Sequence, residues 1–209
     1  YRRQENFASF SWDMGIFDQA VWLLSRFRSF ITVRGLNFWG HHSSPAMLVF
    51  VPFYWLGQGA HLLNLTQVAS MALGAVPVFL LARDRLADKW GAVGLAAVYL
   101  LHPALGFMGW ELFHPEVMAI TPLLFAYWFA TKQRWGWYAG TLIFAVAWKE
   151  DVALVAAVLG LIVLFRGHRK VGLITIGAAA AYYLGVTRLM LPAVSGGVFY
   201  DQLYTGIGG

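Results

Sequence analysis

The chain contains no cysteine among its 209 residues, which excludes disulfides and thiolate-held metals. Charge is scarce as well. Asp, Glu, Lys and Arg make up 12% of the residues, against about 25% in a typical soluble domain. With 59% hydrophobic residues and a mean hydropathy of +0.61, the chain has too little polar surface to face water all round, so it reads as an integral membrane protein. Neither a GxxxxGK[ST] nor a GxGxxG loop occurs, so no nucleotide fold is indicated, and no HExxH zinc motif occurs either. The net charge of +5 is not arranged as a basic stripe interleaved with aromatics. It speaks for membrane topology and anionic partners, not nucleic acid. No signal peptide is visible. The first residue is not Met and the last are GIGG, so a fragment of a longer protein is expected.

What is present is apolar helix punctuated by polar stretches. Residues 1–19 are polar and aromatic. From Asp18 to Phe30 apolar residues recur at helical spacing, which predicts a short interfacial helix. Met47 to Leu56 is apolar but reaches only roughly 15 Å as a helix, half the hydrocarbon core. It is expected to lie at the interface or insert half-way, with Gly57 and Gly59 ending it. Apolar segments follow at 62–81, 90–108, 117–130, 137–148, 152–165 and 171–191, with Gly74 and Pro77 expected to kink the first. The expected fold is therefore an all-α polytopic transmembrane bundle without a sheet, in one membrane domain. Its parts are an extracytoplasmic loop at 1–61 carrying juxtamembrane helices, a bundle at 62–191 and a second extracytoplasmic loop at 192–209.

Three basic clusters, Arg83/Arg85/Lys89, Lys132/Arg134 and Arg166/Arg169/Lys170, fall between these segments. The positive-inside rule puts them in the cytoplasm. Three polar stretches then share the outer face: the opening loop, Trp110–Glu116 and the Lys149-Glu150-Asp151 turn. The last of these interrupts about thirty mostly apolar residues, and a charge at the bilayer centre costs about 2.5–3.5 kcal/mol. A plain loop whose Lys and acids pair with one another is the simpler account. A wet cavity at the membrane surface is the functional one. Pro115 and Glu116 suit a helix start, which leaves Glu111 and His114 as cavity residues. Asp18 suits a helix N-cap. Asp13, next to Gly15, does not, and is the stronger candidate for a general base or a cation-holding carboxylate. His41 and His42 are adjacent, and neighbours on one element point apart, so hydrogen bonding to a phosphate or sugar suits them better than sharing a metal. Together Asp13, Asp18, Glu150 and Asp151 are candidate catalytic carboxylates. Arg34, His41, His42, Glu111, His114, Glu116 and Lys149 are candidate substrate contacts, expected to line one outward-opening cavity.

The motifs SWDMGIFDQAVW, HHSSPAMLVFVPFYWL, LLNLTQVASMALGAVPVFLLARDRL, LHPALGF, LFHPE and WKEDVAL, in this order, resemble the predicted membrane protein family called domain of unknown function 2079. That family in turn resembles the GT-C superfamily of membrane glycosyltransferases. The resemblance implies an external first loop with an acidic residue, matched by Asp13, and a sugar donor carried on polyprenyl phosphate. It also implies an extracytoplasmic acceptor and residence in a prokaryotic plasma membrane; from the carboxylates themselves, a divalent cation such as Mg or Mn is the cofactor to look for. Ser44-Pro45 falls where aminoarabinose-type relatives carry Lys-Pro-Pro. The lysine is missing here, so Arg34, His41 or His42 is expected to meet the phosphate. The first transmembrane helix and the C-terminal part implied by the resemblance lie outside this sequence. The alternative from another class is a transporter or flippase, which charged residues at depth and Gly/Pro-interrupted helices also fit. No internal repeat supports it. A non-catalytic assembly subunit is the third reading.

Overall fold

The computed structural model describes residues 12–110 and 113–196. The chain is mostly helical. The first helix, α1 (Trp12–Leu24), starts six residues before Asp18, where the sequence predicted it. Gly15 does not break it, and Asp13 sits in the first turn, where a carboxylate complements the exposed N–H groups. Met14, Phe17 and Val21, with Ile16 and Ala20 beside them, form its buried face. Trp22 on the other face is exposed and carries the Arg26 guanidinium over its ring at 4.4 Å. The helix ends at Leu24 in a turn that reaches Phe27, whose φ of 57° leaves the right-handed region. Asp18 is thus mid-helix and caps nothing. It accepts the Tyr54 hydroxyl at 2.6 Å.

A small sheet follows where none was expected. Strands β1 (Phe30–Ile31) and β2 (Leu36–Asn37) pair antiparallel, Phe30 with Asn37 and Ile31 with Leu36. Gly35, at φ +65°, supplies the left-handed residue of the turn. The Gln19 amide clasps the hairpin to α1, donating to Thr32 Oγ1 at 2.7 Å and accepting from the Val33 N–H at 3.1 Å. Asn37 then caps α2 (Phe38–His41) by accepting from the Trp39 N–H.

The segment Pro45–Trp55 is a 3₁₀ turn (Pro45–Phe50) running into α3 (Val51–Trp55). As the length argument required, it ends short of a span, at Gly57 with φ +81°. Tyr54 and Trp55 strap it to α1, the indole N–H of Trp55 donating to Ser25 O at 2.6 Å.

Helices α4 (Ala60–Leu73) and α5 (Ala75–Leu86) run on as one helix of 27 residues, roughly 40 Å at 1.5 Å per residue and enough to cross about 30 Å of hydrocarbon. Gly74 admits a neighbour: a Cβ there would sit 2.1 Å from the Tyr99 hydroxyl, which donates to Met71 O. The expected span at 90–108 is instead two helices, α6 (Lys89–Leu100) and α7 (Pro103–Trp110), bent by 47° at the His102-Pro103 step. A 3₁₀ turn (Pro115–Ala119) opens α8 (Ile120–Thr131), and α9 (Trp135–Val146) and α10 (Val152–Phe165) follow. Then α11 (Arg169–Gly185), a π-helical turn (Val186–Met190) and α12 (Leu191–Ser195) form a second continuous helix of 27 residues, Arg169–Ser195. The described residues therefore contain two helices long and apolar enough to cross a membrane, or three if the bent pair counts as one span.

Two cores hold this together. One joins α1, the Pro45–Trp55 segment, Leu63, Phe113, Met118, Trp148 and Val152. The other joins α8 to α11 through Ala126, Leu142, Ala156, Leu159 and Val163. Helices α10 and α11 approach closely at small residues: a Cβ on Gly172 would stand 2.7 Å from Leu164 Cα. Leu65, Val98, Ile143, Leu161, Leu173 and Leu189 remain exposed on the outer faces. Apolar faces of this extent need lipid around them.

Candidate functional site

The functional candidates gather where α8 and α10 begin and α9 ends. The His114-Pro115-Glu116 stretch precedes α8, and the Lys149-Glu150-Asp151 turn joins α9 to α10. The His41-His42-Ser43 stretch, just past α2, is tied in by the backbone bond from Ala46 N–H to Ala147 O at 2.9 Å. Asp13 comes in on the first turn of α1.

One chain of contacts runs Asp13–His114–Glu116–Lys149–Asp151. His114 faces a carboxylate on each side, with Nε2 3.6 Å from Asp13 Oδ2 and Nδ1 3.6 Å from Glu116 Oε1. Lys149 Nζ donates to Glu116 Oε1 at 2.8 Å and lies 3.3 Å from Asp151 Oδ2. Burial favours the neutral form of Glu116, but the hydrogen bond and charge of Lys149 outweigh it and lower its pKa. Lys149 mirrors this: burial favours its neutral form, and Glu116 and then Asp151 outweigh that and raise its pKa.

The second group of contacts centres on Glu150, only 3% exposed. Its Oε2 accepts the Ser43 N–H at 2.8 Å and its Oε1 lies 2.7 Å from His42 Nδ1. Burial would push the Glu150 pKa up, yet His42 and the Ser43 N–H bring it below the ordinary carboxylate range. An ionised carboxylate has no proton to give, so Nδ1 of His42 carries the hydrogen and the ring is fixed in orientation. The His41 and His42 rings meet edge to face, 4.4 Å between centroids. They do not point apart as neighbours on one element would, because His41 ends α2 and His42 is extended, at φ −151° and ψ 156°. Burial, then the charges of His42 and Arg34, lower the His41 pKa to about 3. His41 is therefore neutral at ordinary pH.

The pieces differ in what they leave open. Asp13 is half-buried and touches His114 alone in this chain of contacts, so it keeps acceptor capacity. Asp18 is drawn to Tyr54. Arg34 Nε and Glu116 Oε2 are buried without a hydrogen bond among the described residues. Glu111 lies outside the described residues. No three His, Asp or Glu side chains among the described residues converge as a metal site does. Asp13 would therefore need water or substrate oxygens to complete the shell of a divalent cation.

Four residues outside the predicted site set contribute. Ser43 Oγ lies 2.9 Å from the Tyr182 hydroxyl of α11, which joins the second span to the histidine stretch. Gln67, 0% exposed on α4, accepts the His114 N–H at 2.9 Å and donates to Met108 O at 2.7 Å. Gly40 is covered by the end of α12: a Cβ there would stand 3.0 Å from Ser195 N. A side-chain amide in a mostly apolar span, one turn after Asn64, was the signal available for Gln67. Nothing local marks Ser43 or Tyr182 as partners.

A helical membrane protein with a charged cluster at one end of its helices is the class these features define. The chain belongs to the predicted membrane protein family named domain of unknown function 2079, whose model matches residues 3–207. No curated protein and no solved structure matches it.

Proposed function

We propose that the chain is the membrane part of a glycosyltransferase-like protein of the prokaryotic plasma membrane, moving a sugar from a polyprenyl-phosphate donor to an acceptor on the extracytoplasmic side. The observation that carries this reading is the meeting of acids and bases from four separate stretches at one end of helices with lipid-facing flanks. Transfer from a lipid-borne phosphate needs cationic or N–H donors where the departing phosphate gathers charge, and Arg34, Lys149 and the His41/His42 pair supply them. It also needs a carboxylate to take the acceptor's hydroxyl proton. Asp13 is the base in this reading, because it retains acceptor capacity, while Glu150 and Asp151 are engaged with His42 and Lys149. Any divalent cation would sit at Asp13 beside the phosphate.

The test is release of polyprenyl phosphate by the full-length protein in membranes, wild type against Asp13→Asn. A loss of at least about a hundredfold with unchanged folding is expected, and equal rates refute the assignment. The outward orientation is checked by Leu86→Cys, which should react with an impermeant thiol reagent from the cytoplasmic side. Labelling from outside alone overturns it. The bent pair at Lys89–Gly109 and the π-helical turn in Arg169–Ser195 favour a second reading, a transporter built on interrupted helices. In that case Asp13→Asn changes affinity or coupling in an uptake assay, and losses are heavier at Glu150 and Asp151.

A further inference from the structure

A groove of about 700 Å³ runs between α5 and α6 and ends at Leu105 and Ile120, in the first turns of α7 and α8. Val78, Leu81 and Ala82 face it from α5, and Leu95, Val98 and Tyr99 from α6, each set spaced as one stripe of a helix. Tyr99 crosses α5 at Gly74. Arg85, on the lining at the other end, lies roughly 16 Å from Gly74 along the helix axis. The hydrocarbon of one leaflet is about 15 Å deep, half of ~30 Å, so the groove has the length of one leaflet's acyl chain. Leu95 and Val98, 47% and 63% exposed, leave it open along one side. Arg85 is the last residue but one of the helix Ala60–Leu86, which is long enough to span, so its guanidinium stands at the depth of the lipid phosphates. No carboxylate is left for it there. Asp84 is held by Lys132 Nζ at 2.9 Å and by the Trp128 indole N–H at 3.0 Å. Asp88 caps α6 by accepting the Trp90 and Gly91 N–H groups. The other polar groups on the lining are engaged inside the chain, the Tyr99 hydroxyl with Met71 O and His102 Nδ1 with the Ala104 N–H. Arg85 makes no hydrogen bond or ion pair among the described residues.

We propose that this groove holds one acyl chain of a glycerophospholipid with a net negative head group, its phosphate on Arg85. The length of the groove selects an acyl chain, and its open side leaves the second chain of the same lipid in the bilayer. The charge selects the head. Arg85 lacks an anion, and Arg83 and Lys89 flank it in sequence while both nearby acids are taken. A zwitterionic lipid would bring its own ammonium to an end already rich in cations, whereas an anionic one brings only the phosphate. The site shares no residue with the Asp13–Lys149 cluster, so it stands or falls apart from the transferase reading.

The experiment places the full-length protein in phosphatidylcholine vesicles with a trace of phosphatidylglycerol that carries a diazirine in one acyl chain. Crosslinks are expected within 78–86 and 95–105. The same diazirine on phosphatidylcholine should label these segments about fivefold less, the worth of one basic residue at a lipid surface. Unlabelled phosphatidylglycerol should displace the probe, and polyprenyl phosphate at the same concentration should not. Arg85→Gln, at an exposed position, should bring phosphatidylglycerol labelling down to the phosphatidylcholine level, while Lys170→Gln leaves it unchanged. Val98→Trp fills the groove from an exposed position and should abolish labelling there by either lipid. Leu95→Trp gives the same answer if the first variant does not fold. Equal labelling by the two probes, an Arg85→Gln protein that labels like wild type, or displacement by polyprenyl phosphate overturns the site. Complete disulfide linkage of Val98→Cys into dimers, in a chain without other cysteines, overturns it as well and gives the groove to a second copy.

Discussion

The two ends of α8, α9 and α10 treat charge in opposite ways. At the end near Arg83, Lys132 and Arg166, charges meet singly and in the open: Lys132 Nζ lies 2.9 Å from Asp84 Oδ2, and Arg166 donates to the Tyr127 hydroxyl at 2.6 Å. At the other end Glu150 is buried, Lys149 and Glu116 are half-buried, and the pairs Asp13–His114, Glu116–Lys149 and His42–Glu150 join residues from separate stretches. Exposed pairs contribute little because water and salt screen them. Buried pairs carry a desolvation cost that packing of apolar groups would avoid. Charge retained under that cost, in a chain with so little charge to place, marks the end where chemistry is to be sought, and the basic end reads as topology.

The sharpest way to break this contrast is Glu150→Ala. It strands the His42 ring and the Ser43 N–H, and a loss of about 3–5 kcal/mol is expected, read as the midpoint shift of a denaturation series in detergent. A shift no larger than that of Lys132→Ala would erase the distinction. Next is a change away from both ends. Gly172→Ala places a methyl against Leu164 and should cost about 1–3 kcal/mol by forcing α10 and α11 apart. An unchanged midpoint would mean that the two helices are free to separate.

Acid should separate the ends more finely. His41 titrates near 6.5 when unfolded and at about 3 when folded, so between these values the unfolded chain binds the extra proton. Stability therefore falls as the pH is lowered through that window, by up to about 1.4 kcal/mol per unit. Glu116 and Glu150, whose folded pKa values lie below the ordinary 4.5, add their loss only below that value. His41→Gln should flatten the slope between pH 6.5 and 5, and a slope unchanged by it would place the proton elsewhere. The smallest effect belongs to Lys132→Ala, at most about 1 kcal/mol and reduced further by salt.

Much of the scaffold could be read from hydropathy. The run 152–165 is a helix with those ends, Pro45–Trp55 is too short to span, and Arg169–Ser195 contains the expected 171–191. Counting helices between basic clusters led to the expectation that the three polar stretches share a face, and Asp13, His114, Glu116, Lys149, Glu150 and His42 lie against one another in the pairs described. What escaped the reading depends on direction within an element. The α1 start at Trp12 was hidden because Gly15 and polar neighbours read as loop. The hairpin was hidden because two-residue strands have no period. Asp18 belongs to Tyr54 and Ser43 to Tyr182, partners 36 and 139 positions away, for which a linear pattern holds no register. Composition says that charge will be buried somewhere. Only packing says which atoms meet.

Gln67 has a mechanical consequence. Its amide, rooted in the helix Ala60–Leu86, grips the backbone at both Met108 and His114. The apolar part of that helix, 62–81, reaches roughly 30 Å, the thickness of the hydrocarbon, and the charged Arg83-Asp84-Arg85 end lies beyond it. A side chain rooted inside the span therefore fixes the backbone of the stretch that carries His114, and the 3.6 Å spacing between His114 and Asp13 is set from within the membrane part of the chain.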